Sequence, residues 1–110
     1  MPPEQLAQAQ LDAYNNHDID AFMAQYADDV VVRLFPSNQV LFSDSAKMAE
    51  HYAQNRFNLT DLHAQLVERL VQGNIVIDKE LVTGLEGAPL SVIAMYEVVA
   101  DKIQNVWFIE

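Results

Sequence analysis

The residues best placed to do chemistry lie in the stretch VIDKE. On a strand, Asp78 and Glu80 project from one face, two positions apart. Pairing across a turn at Gly73-Asn74 sets Arg69 opposite Asp78 and completes an acid–base–acid cluster. In a pocket, Arg69 would hold Asp78 ionised and leave Glu80 without a cation. Burial would then lift the Glu80 pKa into the range of a usable general acid or base. On an open surface the same residues make an ion pair beside a solvated carboxylate, the commoner outcome for such pairs. His63, which this register puts on the same face, adds an imidazole that titrates near neutrality. A lone strand histidine is more often a hydrogen-bonded structural residue. Glu80, His63 and Asp78 are therefore the candidate catalytic set. His51 and His17 lack the i, i+4 spacing of a helical metal pair with a nearby acid, and neither metal nor cofactor is expected. Tyr14, Tyr52 and Tyr96 join aromatic bulk to a hydroxyl and are candidates to line a cavity, as are Tyr26 and Phe108; an ordinary core is the other reading.

These side chains need a scaffold, and the composition allows only a small one. The 110 residues make one domain, with 51% hydrophobic and 20% charged residues, a globular balance. Sixteen acidic and six scattered basic side chains give a formal charge of −10, which speaks against nucleic acid or anionic membrane as partners. The chain has no cysteine, so disulfides and thiolate metal sites are excluded. Its first residues have neither a basic nor an apolar signal-peptide region, and no apolar run approaches the ~20 residues of a membrane span, so a cytoplasmic location is expected.

The first half reads helical. PPEQLAQAQLDAYNNH opens on helix-starting Pro and Glu and stops at Asn-Asn-His, with Ala7, Leu11 and Tyr14 on one face. Asp18 can cap a second, short helix that buries Phe22, Met23 and Tyr26. After the acidic turn ADD, VVVRLF forms a strand and VLF returns as a short one. SDSAKMAEHYAQNRF caps and forms a third helix, burying Met48 and Tyr52. The second half is β-rich, split by QGN, LEGAP and ADK into a four-stranded antiparallel meander. The fold class is α+β, with three N-terminal helices packed on a mostly antiparallel sheet.

Charge sets the register of the first hairpin. A two-residue turn, with Gly73 first as type II′ prefers, pairs Arg69 with Asp78 and Glu68 with Lys79. One face then holds His63, Gln65, Val67, Arg69, Asp78, Glu80 and Val82; the other holds Leu62, Leu66, Leu70, Ile75, Ile77 and Leu81. A bulge would undo this sorting. Neither face is wholly polar, and three short helices cover one, so a second copy of the chain is expected on the other. Arg33 is expected to point out of the sheet toward Asp28 or Asp29, and Glu97 to pair on that face with Lys79 or Lys102.

In the order of its elements the chain resembles the NTF2-like superfamily, and within it the SnoaL-like group, which includes steroid delta-isomerase-like proteins. The segments AYNNHDIDAFMAQYADDVVV, VQGNIVIDKELVTG and AMYEVVADKIQNVWF carry the likeness, which spans about Leu6 to Phe108. The resemblance implies a cone, a curved sheet around helices with a pocket at its open end, and homodimers through the sheet. It does not imply one activity, because the scaffold hosts isomerases, cyclases, hydrolases and binding proteins. Carried over by position, the isomerase base falls at Leu34, or at Phe35 if the following proline is aligned. The phenol falls near Gln10 and the acid at Ala94. None of these can do its part, so efficient ketosteroid isomerisation is not expected. Leu34, Phe35 and Ala94 remain expected pocket-lining positions. The expectation is a small-molecule-binding protein taking an apolar ligand. The alternatives are an isomerase, cyclase or hydrolase using Glu80 or His63, and a dimerisation module.

Overall fold

Proline starts the first helix and a left-handed histidine stops it. The computed structural model describes residues 2–110. Helix α1 runs Pro3–Asn15, with proline in its first turn, where a missing N–H costs nothing. At its end the N–H groups of His17 and Asp18 return to the carbonyls of Tyr14 and Ala13, a Schellman closure. His17 takes the left-handed position, φ 55°, that glycine usually fills. Its Nε2 contacts the Leu62 carbonyl at 2.8 Å, which ties the helix stop to the entry of the meander.

Helix α2, Ile19–Met23, is capped by Asp18, whose Oδ1 accepts from the Ala21 N–H at 3.1 Å. Helix α3, Ser45–Asn55, is capped by Asp44 through the Lys47 N–H at 2.8 Å. Strand β1 runs Tyr26–Phe35, earlier than the sequence suggests: Tyr26 is its first residue rather than the last of a helix. The acidic turn is an irregularity within the strand, because Tyr26 pairs with Ile103 and Val31 with Asn105. The other strands are β2 (Val40–Phe42), β3 (His63–Gln72), β4 (Ile75–Thr83), β5 (Leu90–Val99) and β6 (Lys102–Ile109).

The six strands form one sheet in the order β2-β1-β6-β5-β4-β3. Only the β1–β6 pair is parallel. The inner face packs Val30, Val32, Val76 and Val106 against Leu6, Ala7, Phe22 and Met48 of the helices. The sheet is curved around the helices, and register shifts in β1, β3 and β5 mark the irregularities that help a sheet to bend.

The hairpin turn is the one charge pairing requires. Gly73 has φ 58°, and Arg69 pairs with Asp78 and Glu68 with Lys79. Beyond them a bulge at Val67 slips the register, so that Leu66 faces Glu80, Ala64 faces Val82 and His63 faces Thr83. Since strand alternation has period two, the extra residue exchanges faces for everything before it. Leu62 and Leu66 turn inward, and His63 and Gln65 turn outward. On the outer face Arg33 does point away from the core, but its Nη1 donates to Asn105 Oδ1 (3.1 Å) rather than to Asp28 or Asp29. Asn105 donates in turn to Glu97 (2.8 Å), which takes neither expected lysine. Among the described residues no helix is long and apolar enough to cross a membrane.

Candidate functional site

Two inner-face rows build the site. The first crosses the sheet as Arg69, Asp78, Ala94, Phe108 and Leu34; the second, one step toward the open end, as Leu66, Glu80 and Val92. Above them lies a cavity of about 340 Å³. That is at the small end of the ~300–1,000 Å³ typical of small-molecule sites.

Asp78 and Glu80 are one strand step apart and differ in every respect. Asp78 is 0% exposed. Arg69 grips it in a fork, Nε to Oδ1 at 2.7 Å and Nη2 to Oδ2 at 2.9 Å, and its Nη1 donates to Gln8 Oε1 at 2.9 Å. The carboxylate in turn holds the guanidinium protonated above its ordinary range. This is no surface ion pair, because α1 closes over it. Glu80 is 7% exposed, lines the cavity, and makes no hydrogen bond with any described residue. Burial, and then the negative charge of Asp78, push its carboxyl up to about 7, against the opposing pull of Arg69.

Four phenols share the cavity with Glu80. Burial pushes Tyr14 up to about 12 and Tyr26, Tyr52 and Tyr96 well above the ordinary range, so all four are hydrogen-bond donors at neutral pH. Tyr26 donates to Gln10 Oε1 at 3.1 Å, and Gln10 Nε2 donates to the Tyr96 oxygen at 3.3 Å and to the Ala7 carbonyl. That relay leaves the Tyr96 O–H without an acceptor among the described residues. Tyr14, Phe22, Tyr52 and Phe57 pack ring against ring, with centroids 4.9–6.3 Å apart, and fix the phenol positions.

Of the expected lining residues, Tyr14, Tyr26, Leu34, Tyr52, Tyr96 and Phe108 line the cavity together with Glu80. Phe35 does not: Val30, Val32 and Leu34 face in, so alternation turns Phe35 out, and it is 46% exposed. Ala94 is fully buried but ends at Cβ, within the row of Asp78 and Phe108 and short of the cavity. Asp78 faces inward but is sealed off by Arg69. His63 lies outside, exposed, because of the Val67 bulge. Four polar lining residues escaped the sequence reading, Gln10, His51, Arg56 and Ser91. Gln10 could have been found, as a polar residue on the apolar stripe of Ala7, Leu11 and Tyr14. Arg56 had no such signal, since its direction is set by the way α3 ends. Burial lowers the His51 pKa, with Arg56 adding to it. Among the described residues no three His, Cys, Asp or Glu side chains are grouped to hold a metal.

The fold and the sequence pattern both have relatives. The chain superposes on a cystatin-fold protein from Novosphingobium aromaticivorans with a TM-score of 0.87, at 25% identity over 100% of this chain and 99% of that one. A proposed ketosteroid isomerase from Kribbella flavida follows at 0.83, with 20% identity over 98% and 76%. A proposed polyketide cyclase from Sinorhizobium meliloti gives 0.79, with 17% identity over 94% and 93%. No curated protein matches by sequence. The SnoaL-like domain family matches residues 7–106, nearly the whole chain. The chain belongs to the SnoaL-like family of the NTF2-like fold.

Proposed function

We propose that the chain is an acid–base enzyme that moves a proton on a small, mostly apolar carbonyl compound, with Glu80 as the proton carrier. The observation that carries this is a carboxyl group facing an apolar cavity with no cation of its own. With a pKa of about 7, Glu80 is divided between its acid and base forms at neutral pH, the condition for efficient general catalysis. As carboxylate it takes the proton from the carbon beside the carbonyl. The electron pair moves to the carbonyl oxygen, which the O–H groups of Tyr96 and Tyr14 are available to receive. As acid it returns the proton elsewhere on the same framework. This chemistry serves an isomerisation or an aldol-type ring closure. Glu80 stands on the strand beside Ala94 and one step on, so the acid–base duty has a place even though the isomerase positions hold Leu34 and Ala94.

The test is 5-nitrobenzisoxazole, whose ring opens on removal of one proton from carbon. The chain should accelerate this reaction, with the rate rising as pH passes about 7. Glu80→Gln should lose roughly 10²–10⁴-fold of the acceleration. An unchanged rate in that variant overturns the assignment. The apolar residues at Leu34 and Ala94 favour a second reading, a binding protein without chemistry. Ligand uptake with no Glu80-dependent proton transfer would establish it.

We further propose that the outer sheet face joins two copies. Leu70, Ile77, Met95 and Trp107 form one cross-strand row there, and Leu70 is 61% exposed. The charges of Glu68, Lys79, Glu97 and Arg33 cancel around it, so this patch of a chain with net charge −10 does not repel its twin. Sedimentation at micromolar concentration should give twice the chain mass, and Met95→Glu should give the monomer. A monomeric native chain overturns this.

A further inference from the structure

The cavity wall holds a positive charge without a carboxylate partner among the described residues. Arg56 follows α3 directly and lines the same cavity as Glu80. Among the described residues no carboxylate pairs with it. Its Nη1 donates to the backbone carbonyl of Asn55 at 3.0 Å, and the guanidinium also hydrogen-bonds the Tyr14 phenol. A cation at a helix C-terminus commonly makes the carbonyl contact, and the two bonds together leave other guanidinium donors free. The Tyr14 phenol stands beside the guanidinium, and Tyr14 and Tyr52 both feel the charge of Arg56 and of Glu80, so these two rings are within reach of the cation and the acid alike. In a chain with ten more acidic than basic side chains, an unpaired guanidinium in a cavity wall is conspicuous. His51, the other basic group of the wall, has its charged form disfavoured by burial and by Arg56.

We propose that the cavity takes a small carboxylic acid, its carboxylate held by Arg56 and its apolar body lying across Tyr14 and Tyr52 toward Glu80. This rests on the cavity being the reaction site. Arginine meets a carboxylate with two parallel N–H donors, which fixes both position and orientation. A single guanidinium suits one negative charge better than the two of a phosphate ester, whose second charge would face Glu80 with no cation to offset it. The carboxylate anchors one end of the substrate, so that its reactive carbon is presented to the proton carrier.

The probes are trans-cinnamate and its neutral isostere cinnamamide, with phenyl phosphate as the competing anion, each titrated into the full chain by amide NMR. Cinnamate should bind at least about tenfold more tightly than cinnamamide, as expected for a charge-assisted pair out of water. Arg56→Gln should erase that preference while keeping the amide affinity, and Arg56→Lys should restore part of it. Glu80→Gln should keep the preference although it loses proton transfer, which separates failure of this assignment from failure of the acid–base reading. The proposal is overturned if acid and amide bind alike, if Arg56→Gln keeps the preference, if phenyl phosphate binds best, or if no probe binds at millimolar concentration. Retained NMR dispersion in each variant shows that the fold is intact.

Discussion

The inner wall of the sheet has two ends built on opposite principles. At the closed end every polar group has a partner: Asp78 is forked by Arg69, and Gln10 is shared by Tyr26, Tyr96 and a backbone carbonyl. At the open end, among the described residues, Glu80 has no hydrogen bond, the Tyr96 O–H has no acceptor, and Arg56 has no acid. Satisfied polar groups in a core specify one arrangement, whereas unsatisfied groups around a cavity cost stability and are ready for a ligand. One strand, β4, supplies a carboxylate to each end. The difference lies in what the neighbouring strand and α1 bring to each, not in the residue type.

Cutting the closed end should have the largest effect. Arg69→Leu strands a carboxylate that is 0% exposed, and loss of one member of a buried pair costs about 3–5 kcal/mol. Urea unfolding of this variant should show a large drop in midpoint. Glu80→Gln, two residues from Asp78, should cost nothing at pH 8 and can stabilise. Equal losses for the two would erase the distinction between the ends.

The next effect is read against pH. Folding raises the Glu80 pKa from 4.5 to about 7. Between those values the folded chain holds a proton that the unfolded chain has released, so the slope of stability against pH is negative there. The contribution is fully present below about pH 4.5 and is lost as pH rises through 7, amounting to about 3 kcal/mol in all. The difference in unfolding free energy between the native chain and Glu80→Gln should follow that curve across pH 4.5–8. A flat difference means that water reaches Glu80 and the open end is not apolar.

Much of the closed end was legible in the sequence, and less of the open end. The Asp18 and Asp44 caps, the stop at His17 and the Arg69–Asp78 register follow from local rules: a capping side chain, a turn type, opposite charges across a hairpin. The bulge at Val67 follows from none of these, since it is a tertiary adjustment of a bent edge strand, and one extra residue sent His63 to the wrong face. Phe35 was misplaced because the alignment through Pro36 ignored the alternation that turns Leu34 inward. Glu80 was singled out because it shares a face with Asp78, but its burial was not readable, since that depends on α1 closing over the sheet. Arg56 was unreadable for the same reason: a residue just past a helix end points wherever the chain turns.

The two ends can also be set against each other with the same substitution, and here the expected effect is smallest. Tyr26 and Tyr14 are both phenols of the cavity wall, but the Tyr26 O–H donates to Gln10 at 3.1 Å, whereas Tyr14 stands beside Arg56 near the open end. Tyr26→Phe removes the one donor to Gln10 Oε1 and leaves a buried amide oxygen unpaired, which costs about 1–2 kcal/mol. Tyr14→Phe keeps the ring that packs on Phe57, 5.4 Å between centroids, and strands no buried partner, so its cost should stay within about 0.5 kcal/mol. In the 5-nitrobenzisoxazole and cinnamate assays the order should reverse. Tyr14→Phe weakens ligand binding or turnover, because the lost hydroxyl faces the ligand, while Tyr26→Phe leaves both near native as long as the fold holds. Chemical denaturation and the two assays on the same pair of proteins decide it. If Tyr14→Phe is the more destabilising, its hydroxyl belongs to the structural network, and the boundary between the two ends lies nearer the mouth of the cavity, beyond Tyr14.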